Sequence, residues 1–365
     1  MRVESVELYR YAIPLLVRPS LQGAQARLRN GLLLRIVSER DLSGWGEIAP
    51  LPGFSKETLS EAQALVLSEA LNLVGREVPE TYDDLSREVD ARRNRISSVA
   101  FGIELGLASL SAGIRGLSLA EWMAPSARTS VPVSALLSGS EEEVVKMARA
   151  RLNCGFKTFK LKVGRSTIDK DLETVRRVRD AIGSQSVLRL DANRAWEYDD
   201  ARRFAEAILP FDTAFIEEPL RDWAQLKKLH DETSIPVALD ETVSELAVSG
   251  GSPPTAEDFS FATAAILKPT LTGGLVETRR WADRFNAVGV EPVLSSSFES
   301  EIGLSGLVAL AAAVSGSGWA AGLDTLRYLG GSVLDEHRGA ESATLPADEI
   351  PGRPAVNMNA LTRIL

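Results

Sequence analysis

Short apolar or β-branched runs alternate with amphipathic stretches over the second two-thirds of the chain. From residue 131 onward the runs begin about 22 to 29 residues apart, which leaves room for one strand, two loops and one helix per unit. Between the second and third runs, apolar residues recur with a helical period and would share one face; they are Leu172, Val175, Val178 and Ile182. The eight runs are Val131–Leu136, Thr158–Val163, Val187–Asp191, Ala214–Glu217, Pro236–Asp240, Ala265–Lys268, Pro292–Ser297 and Ala320–Asp324.

This alternation predicts parallel strands joined by right-handed helical crossovers. Eight such units favour a closed (β/α) barrel over an open sheet. The alternative is an open doubly wound sheet, which would want a phosphate-binding G-x-G-x-x-G after an early strand. The chain has no such motif.

The first third of the chain has a different order of elements. Strand-like runs at Ser5–Tyr11 and Gly31–Val37 come first, and helical runs at 57–74 and 99–114 follow. Strands followed by helices predict a small α+β domain. We therefore predict an α+β domain (1–125), a barrel (126–325), and a C-terminal segment (326–365) that packs back on the first domain.

Composition and charge exclude several classes of function. The net charge is −9 with acidic and basic residues mixed, so the clustered basic face of a nucleic-acid-binding protein is missing. Two histidines argue against His-based metal sites and Ser-His-Asp triads, and one cysteine suits a reducing compartment. With no signal-peptide core and no apolar run near the roughly 18 residues that span a bilayer, we expect a cytoplasmic protein without a membrane partner.

Charged residues fall at the predicted carboxyl ends of successive strands. In a barrel these ends converge on one mouth, and Lys160 and Lys162 point to the same side because side chains alternate along a strand. The strand ends, from the second run to the sixth, are Lys160-Leu-Lys162, Asp191-Ala-Asn193, Glu217-Glu218-Pro219, Asp240-Glu241 and Lys268-Pro269.

Three successive strands thus deliver a carboxylate each to one spot. Packed carboxylates do not all stay ionised without a cation, and oxygen ligands suit a hard ion such as Mg²⁺. The alternative is that each acid caps the helix that follows it. Flanking lysines on both sides disfavour that alternative for all three strands together. Alternation alone does not choose between Glu217 and Glu218, or between Asp240 and Glu241.

The lysines of the second and sixth runs lie roughly opposite each other across the predicted mouth. Burial and neighbouring cations lower the pKa of a lysine, which makes the free amine available as a base. A metal beside it would stabilise the enediolate formed when a proton leaves the carbon next to a carboxylate. Acid/base chemistry is therefore the predicted function of this mouth.

These strand-end motifs resemble the enolase superfamily, in its muconate-lactonizing subgroup. The resemblance implies an α+β capping domain on a modified (β/α)₇β barrel. It narrows to the o-succinylbenzoate synthase family through stretches spread over nearly the whole chain. These are Gly44–Ser55, Arg189–Trp196, Lys268–Gly273, Ser295–Ser300 and Gly322–Leu326.

The resemblance implies a lyase of menaquinone biosynthesis. Its reaction is the syn elimination of water from 2-succinyl-6-hydroxy-2,4-cyclohexadiene-1-carboxylate, which gives 2-succinylbenzoate. The implied cofactor is Mg²⁺, with Mn²⁺ as an alternative, and the implied partner is a small-molecule carboxylate. The implied metal ligands are Asp191, Glu217 and Asp240.

The resemblance also implies roles for the residues around the metal. Lys162 matches the lysine that removes the α-proton and then helps the hydroxyl leave, and Lys268 matches the lysine on the opposite side of the intermediate. Lys160 matches the lysine that tunes the base. The predicted substrate contacts are Arg189, Asn193, Ser295, Ser296 and Ser297, although a plain loop role for the three serines is an equal alternative.

Three rival functions are consistent with parts of this pattern. An N-succinylamino-acid racemase or dipeptide epimerase would use the same fold and both lysines, and Gly44–Ser55 favours the synthase over it. A Schiff-base aldolase would use one barrel lysine without a metal, and the three carboxylates argue against it. The intact constellation disfavours a non-catalytic barrel.

The segment Arg18–Asn30 has the composition of a mobile lid. Gly23 would supply hinge freedom and Pro19 a stop, and Arg27 and Arg29 are candidate partners for the two carboxylates of the substrate. The alternative is an ordinary solvated hairpin connection.

Overall fold

The computed structural model describes residues 1–16, 27–91, 96–248, 256–314, 318–335, 342–348 and 355–365. The N-terminal part contains an antiparallel sheet followed by helices, in the predicted order. The strands are β1 (Val3–Pro14), β2 (Leu28–Ser38) and β3 (Ser43–Ile48), and the helices are α1 (Leu59–Leu73), α2 (Tyr82–Ala91), α3 (Ser97–Arg115) and α4 (Leu119–Met123).

Strands and helices then alternate to the end of the barrel. The elements up to the third helix of this series are β4 (Ser130–Pro132), β5 (Ala135–Leu137), α5 (Glu141–Asn153), β6 (Thr158–Lys162), α6 (Ile168–Ile182), β7 (Val187–Asp191) and α7 (Tyr198–Ile208). The remaining elements are β8 (Thr213–Glu217), α8 (Trp223–Thr233), β9 (Val237–Leu239), α9 (Glu241–Val248), β10 (Ala264–Leu267), α10 (Pro269–Thr272), α11 (Gly274–Ala287), β11 (Glu291–Leu294) and α12 (Glu301–Ala313).

Seven parallel strands form one curled sheet in the order β11-β10-β9-β8-β7-β6-β5. The last predicted run closes this sheet. Ala321 forms a parallel bridge with Val133 on one edge, and Gly322 forms one with Ser295 on the other. The (β/α)₇β barrel is therefore confirmed, and the open-sheet alternative is wrong.

The sheet register brings the functional strand ends to one level. Lys162 pairs with Asp191 across β6 and β7. Asp191 in turn pairs with Glu217 across β7 and β8. Because neighbouring partners in a parallel ladder lie side by side, three adjacent strands present their last side chains to one spot.

Helix α6 illustrates how the apolar pattern builds the outer layer. Its buried residues include Val175, Val178 and Ile182, at the predicted helical spacing. Charged residues cover the opposite face, as expected for a helix with one side on a sheet.

The N-terminal sheet packs unusually closely on helix α3, and glycines make this possible. A Cβ atom at Gly46 would lie 1.8 Å from the carbonyl oxygen of Gly102, and one at Gly44 would lie 2.2 Å from that of Gly106. The Gly44-Trp-Gly-Glu motif thus permits backbone contact between β3 and α3. Helix α3 is long and apolar enough to cross a membrane, but 78% of its most apolar window is buried inside the protein, as in a core helix.

The end of the chain contacts both parts of the molecule. Strand β12 (Thr344–Pro346) pairs with β4 beside the barrel, and β13 (Thr362–Arg363) pairs with β1 of the N-terminal sheet. The last residues therefore link the two parts through backbone hydrogen bonds.

The predicted loop over 18–30 is wrong at its C-terminal end. Strand β2 begins at Leu28, so that Leu28, Arg29 and Asn30 pair with Pro14, Ile13 and Ala12 of β1. Apolar residues on both sides of the hairpin extend the pairing beyond the predicted strand start at Gly31. Pro19 and Gly23, and with them the hinge of the predicted lid, lie outside the described residues.

Candidate active site

A cavity opens at the carboxyl ends of the barrel strands, where the charged motifs meet. Leu51 and Phe54 cover it from the capping domain, which is the N-terminal part of the chain. Its barrel lining comes from the ends of β5, β6, β7, β10 and β11 and from residues 322–328, which close the barrel. The polar lining residues are Ser134, Ser138, Lys160, Lys162, Arg165, Asn193, Lys268, Ser295, Ser296, Ser297, Asp324, Thr325 and Tyr328.

Lys160 lies between two of the predicted metal ligands. Its Nζ is 2.8 Å from Asp191 Oδ2 and 2.7 Å from Glu217 Oε1. Burial opposes the charge on this lysine, but Asp191 and Glu217 outweigh burial and raise its pKa. Lys160 therefore stays an ammonium ion that neutralises part of the acidic cluster.

Lys162 donates to Asp191 Oδ2 and, at 2.7 Å, to Asn193 Oδ1. Burial is the largest influence on this lysine, and the charge of Lys160 adds to it, so that the pKa of Lys162 falls below its usual value although Asp191 opposes the shift. Two lysines on one strand thus differ, because the inner one keeps its proton and the outer one releases it more easily.

Lys268 contacts a different carboxylate. Its Nζ donates to Asp240 Oδ2 at 2.5 Å and lies 5.8 Å from the ring centroid of Phe54. Burial opposes the charge, but Asp240 and Glu241 outweigh it and raise the pKa of Lys268. Strands β6 and β10 are four places apart in the sheet order, which is half of the barrel circumference. Lys162 and Lys268 therefore face the cavity from opposite sides.

The carboxylate cluster has more acceptor oxygens than the surrounding N–H and O–H groups satisfy. Glu217 Oε2 and Asp240 Oδ1 are buried and accept no hydrogen bond from an N–H or hydroxyl donor among the described residues. The carboxyl groups of Glu217 and Asp240 lie within hydrogen-bonding distance of each other. Burial, followed by the charge of Asp191, raises the pKa of Glu217 well above its usual value. Burial opposes ionisation of Asp191 too, but Lys160 and Lys162 outweigh it and lower the pKa of Asp191.

A divalent cation fits this donor set by its chemistry. Hard cations take oxygen ligands, and buried carboxylate oxygens without donors are the groups that a cation would satisfy. Within the described part of the chain, no three His, Cys, Asp or Glu side chains converge in an arrangement that would hold a metal. The cations that contact the cluster are the ammonium groups of Lys160, Lys162 and Lys268.

Hydrogen bonding separates Glu217 from its neighbour Glu218. Glu218 Oε1 accepts from the backbone N–H groups of Asp240 and Thr242, each at 2.9 Å, and its Oε2 accepts from Arg194 at 3.1 Å. Both oxygens of Glu218 therefore accept hydrogen bonds, two of them from backbone N–H groups that follow β9. Glu217 Oε2 accepts none from an N–H or hydroxyl donor in the described chain. The same criterion does not separate Asp240 from Glu241, because Glu241 Oε2 is also buried without a partner.

Asn193 lies at the centre of the site and has a strained backbone. Its φ is 46°, and those of Arg194 and Glu218 are 60° and 41°. Side chains other than glycine rarely adopt this left-handed region, and such residues cluster at functional sites. The strain aims the Asn193 side chain, which accepts from Lys162 and donates to Glu241 Oε1 at 3.1 Å.

Arg189 is the predicted substrate contact that the structure does not bring to the cavity. Two residues before Asp191 on β7, its side chain points into the barrel below the acidic cluster. It donates to Ala320 O at 2.7 Å and lies beside the stacked rings of Phe215 and Trp319, at 5.4 and 5.2 Å from their centroids. The strand period puts Arg189 on the same face as Asp191, but one layer deeper.

The three serines after β11 do line the cavity, but they differ in their hydrogen bonds. Ser295 Oγ donates to Gly322 O at 3.3 Å, and Ser296 Oγ donates to the buried Glu299 at 2.6 Å. Ser297 Oγ is buried and has no partner among the described residues. Ser297 is thus the serine whose hydroxyl is left for a ligand.

Arg29, a candidate partner of the substrate, is used elsewhere. Its guanidinium is buried and donates only to backbone carbonyls, among them Pro50 at 2.8 Å and Phe298 at 2.9 Å. It thereby links the loop of the capping domain that carries Leu51 to the barrel loop over residues 295–300, called the serine loop. Arg27 is exposed just before β2.

A buried glutamate of the Gly44–Ser55 stretch fixes the same serine loop from the other side. Glu47 accepts from Tyr11 Oη at 2.5 Å, from Ser300 N at 2.9 Å and from Gly303 N at 2.7 Å. Because Ser300 and Gly303 begin helix α12, Glu47 caps a barrel helix from the capping domain. Nothing in the local pattern around Glu47 predicted its contact with α12, since Ser300 and Gly303 lie more than 250 residues away.

Sequence reasoning also missed Leu51, Phe54, Ser138 and Arg165 as lining residues. Leu51 and Phe54 belong to a recognised motif, and Arg165 follows Lys162 by three positions. Proximity in sequence to the strand end was therefore a usable signal for Arg165.

Comparisons with known proteins agree with this geometry. Residues 143–353 match the family described as enolase C-terminal domain-like, and residues 3–110 match the family described as MenC, N-terminal domain. An o-succinylbenzoate synthase of Yersinia enterocolitica is 33% identical over 85% of this chain and 86% of its own length. Another, of Escherichia coli, is 31% identical over 95% of this chain and 98% of its own.

A solved structure shares the whole fold at lower identity. It is a dipeptide epimerase of Enterococcus faecalis complexed with Mg and the dipeptide L-Leu-L-Tyr, with a TM-score of 0.84 and 20% identity, and the match covers 99% of this chain and 100% of that one. At this identity the likeness shows the fold alone.

Proposed function

The chain belongs to the o-succinylbenzoate synthase family of the enolase superfamily, and from this premise we propose how its own residues carry out the reaction. The reaction is the elimination of water from 2-succinyl-6-hydroxy-2,4-cyclohexadiene-1-carboxylate to give 2-succinylbenzoate. The ring becomes aromatic, so the product is strongly favoured. Removal of the first proton is therefore the step that needs catalysis.

One observation supports this function more than any other. Two buried carboxylate oxygens, Glu217 Oε2 and Asp240 Oδ1, lack an N–H or hydroxyl donor within the described chain, and lysines on opposite strands flank them. A purely structural cluster would satisfy these oxygens, because an unsatisfied buried acceptor costs about 1–3 kcal/mol. A site that binds a cation and an anionic substrate has a use for them.

Asp191, Glu217 and Asp240 are the residues that would hold Mg²⁺, as the resemblance implies, with Mn²⁺ as a substitute. When bound, the ion supplies Lewis-acid stabilisation of the charge that develops on the ring carboxylate of the substrate. The neighbouring lysines then no longer need to neutralise the carboxylates alone. Their ammonium groups and amines become available to the substrate.

Lys162 is the proposed base. Its lowered pKa favours the free amine, and its Nζ faces the cavity beside Asn193. The amine takes the proton from the ring carbon that carries the carboxylate, and the electron pair of that C–H bond moves into the enediolate. The enediolate electrons then form a C=C bond to the neighbouring ring carbon, and the C–O bond between that carbon and the hydroxyl breaks on the same face. The Lys162 ammonium returns its proton to the departing oxygen, which leaves as water.

Lys268 stabilises the intermediate from the other side. Its raised pKa keeps it an ammonium ion, and this charge faces the enediolate that forms between the two lysines. Lys160 stays charged below Lys162 and favours the free amine of that base.

Asn193 and Ser297 are the proposed substrate contacts of the predicted set. Asn193 would orient Lys162 and the ring, and Ser297 has a hydroxyl without a partner in the described chain. Ser296 is used by Glu299, and Ser295 by Gly322, so that we propose a loop role for both. For Arg189 we propose support of the barrel floor below Asp191.

The function is tested with the purified protein, Mg²⁺ and the cyclohexadiene substrate. We expect loss of the diene absorbance and formation of 2-succinylbenzoate in equal amounts. Absence of product in a sample that binds Mg²⁺ would contradict the proposal.

The alternative is racemisation of N-succinylamino acids or epimerisation of dipeptides on the same scaffold. Lysines on two faces of the cavity suit that chemistry too, because one can remove a proton and the other return it. Optical rotation of N-succinylamino acids in the same preparation measures it. Racemisation without dehydration would make the alternative the function.

A further inference from the structure

The proposed substrate carries two carboxylates, and the metal and lysine cluster accounts for only the one on the ring. The following step rests on the proposed function. The second carboxylate ends the succinyl chain, and a dianion in a partly buried cavity needs a second positive partner.

Four cationic side chains of the described chain line the cavity, and three of them belong to the cluster that acts on the ring. Lys160, Lys162 and Lys268 each donate to a carboxylate of the cluster. Arg165 is the fourth. It has no Asp or Glu within salt-bridge distance in the described chain, and its Nη1 donates only to Ser138 Oγ, at 2.9 Å. Its charge is therefore available to a ligand.

The backbone that carries Arg165 is held in one conformation. Gly164, at φ 75°, donates its N–H to the carboxylate of Asp171 at 2.8 Å. Asp171 is 6% exposed and also accepts from the backbone N–H groups of Arg165 and Ser166. A buried carboxylate with three backbone donors fixes the turn, so the guanidinium starts from a defined point on the rim.

Arg165 also lies on the side of the cavity that suits a second carboxylate. The acidic ends of β7, β8 and β9 would repel it on one side. Arg165 follows β6 on the other side, beside Lys162, which acts on the ring carbon next to the one that carries the succinyl chain. The other arginine near the cavity, Arg29, is used by backbone carbonyls.

We propose that Arg165 binds the distal carboxylate of the succinyl chain and that Ser138 orients its guanidinium. Arg165 is then a specificity-determining residue. It distinguishes a succinyl substrate from one that ends in a neutral group, because guanidinium and carboxylate match as a two-pronged pair.

The test compares two ligands that differ only at the end of the chain. The dissociation constants of 2-succinylbenzoate and 2-butyrylbenzoate, which lacks the distal carboxylate, are measured by calorimetry in the presence of Mg²⁺. For Arg165→Gln we expect 2-succinylbenzoate to bind about 10- to 100-fold more weakly, as for a lost charged hydrogen bond, and 2-butyrylbenzoate to bind as before. In turnover, KM should rise while kcat changes little.

Three further variants sharpen the test. Arg165→Lys should lose less affinity than Arg165→Gln, because it keeps the charge without the planar fork. Ser138→Ala should lose the least. Arg149→Gln, which removes an exposed arginine of helix α5, is the matched control and should change neither affinity.

If Arg165→Gln weakened the binding of both ligands equally, Arg165 would act through a general electrostatic effect, and the proposal would be overturned. Unchanged binding of 2-succinylbenzoate by Arg165→Gln would overturn it too. Both results are distinguishable from failure of the proposed function. In that case the wild-type protein itself would neither dehydrate the substrate nor bind 2-succinylbenzoate.

Discussion

Buried carboxylates occupy two regions of this molecule, the mouth of the barrel and the seam between barrel and capping domain. At the mouth, Glu217 and Asp240 each keep an oxygen without an N–H or hydroxyl donor in the described chain. At the seam, both oxygens of Glu47 accept hydrogen bonds, at distances from 2.5 to 3.1 Å. Glu299, beside the seam, likewise accepts from Thr270 and Ser296.

The difference separates acids that hold the fold from acids that keep acceptor capacity for a ligand. A buried carboxylate with saturated acceptors stabilises the fold and has no capacity left for a ligand. A buried carboxylate with a vacant acceptor costs stability until something binds to it. Burial alone would therefore not distinguish Glu47 from Glu217, whereas the count of donors does.

The seam acids share a second property, which is their position at helix N-termini. Glu47 accepts from the first residues of α12, and Glu104 of α3 accepts from Val276 N, at the start of α11, at 3.0 Å. Helix N-termini favour negative charge because their backbone N–H groups are unpaired. The capping domain is thus docked on the barrel through two carboxylates, next to the serine loop that lines the cavity.

The largest effect should come from the mouth. Lys162→Ala removes the proposed base, so kcat should fall by about 10² to 10⁴, the usual contribution of general-base catalysis. Lys268→Ala should be similarly damaging, because its charge faces the developing negative charge. Lys146→Ala, at an exposed position of α5, is the control for both in steady-state kinetics. Near-normal kcat in either active-site variant would mean that the assigned roles are wrong.

A smaller effect, on metal affinity, should separate the two sets of acids. Asp240→Asn removes one charge from the mouth, and the dissociation constant for Mn²⁺ should rise at least about tenfold, since even outer partners of metal ligands change affinity by 10- to 100-fold. The melting temperature without metal should change little. Unchanged Mn²⁺ binding by calorimetry would remove Asp240 from the ligand set.

A substitution at the seam should lower stability and leave metal affinity unchanged. Glu47→Gln sets an amide N–H₂ against the donors of Ser300 and Gly303, and the free energy of unfolding should fall by about 3 kcal/mol. Mn²⁺ affinity should stay the same. Urea denaturation measures the loss, with the exposed Glu39→Gln as control. The comparison breaks down if Glu47→Gln loses metal affinity and keeps its stability.

The smallest expected effect is at Arg29. Arg29→Lys keeps the charge but loses the fork that holds the carbonyls of Pro50 and Phe298. The serine loop should become less ordered, and KM should rise a few-fold with little change in kcat. A fall in kcat that matches the fall in kcat/KM would instead assign Arg29 to transition-state stabilisation.

Periodic features of the chain predicted the fold and the mouth. The strand spacing predicted the barrel, and the positions of Lys162, Asp191 and Glu217 at the ends of successive strands predicted that they meet, in agreement with the sheet register. Side-chain alternation along a strand predicted which residues share a face. Alternation did not indicate how deep in the barrel a side chain lies. It put Arg189 on the correct face but did not indicate that this side chain lies one layer below the cavity.

Contacts between distant segments could not be predicted in this way. Glu47 meets Ser300 and Arg29 meets Phe298 only after the capping domain docks, and no local pattern records those pairs. For this reason the sequence could not indicate that Arg29, a candidate partner of the substrate, donates to backbone carbonyls in the structure.

Removal and return of the metal tests whether Asp191, Glu217 and Asp240 form a metal site that turnover requires. The protein is stripped with EDTA and assayed with the cyclohexadiene substrate before and after Mg²⁺ is added. If Asp191, Glu217 and Asp240 form a working metal site, turnover should vanish in EDTA and return with Mg²⁺ or Mn²⁺. Full turnover in EDTA would contradict the account and revive a metal-free lysine mechanism.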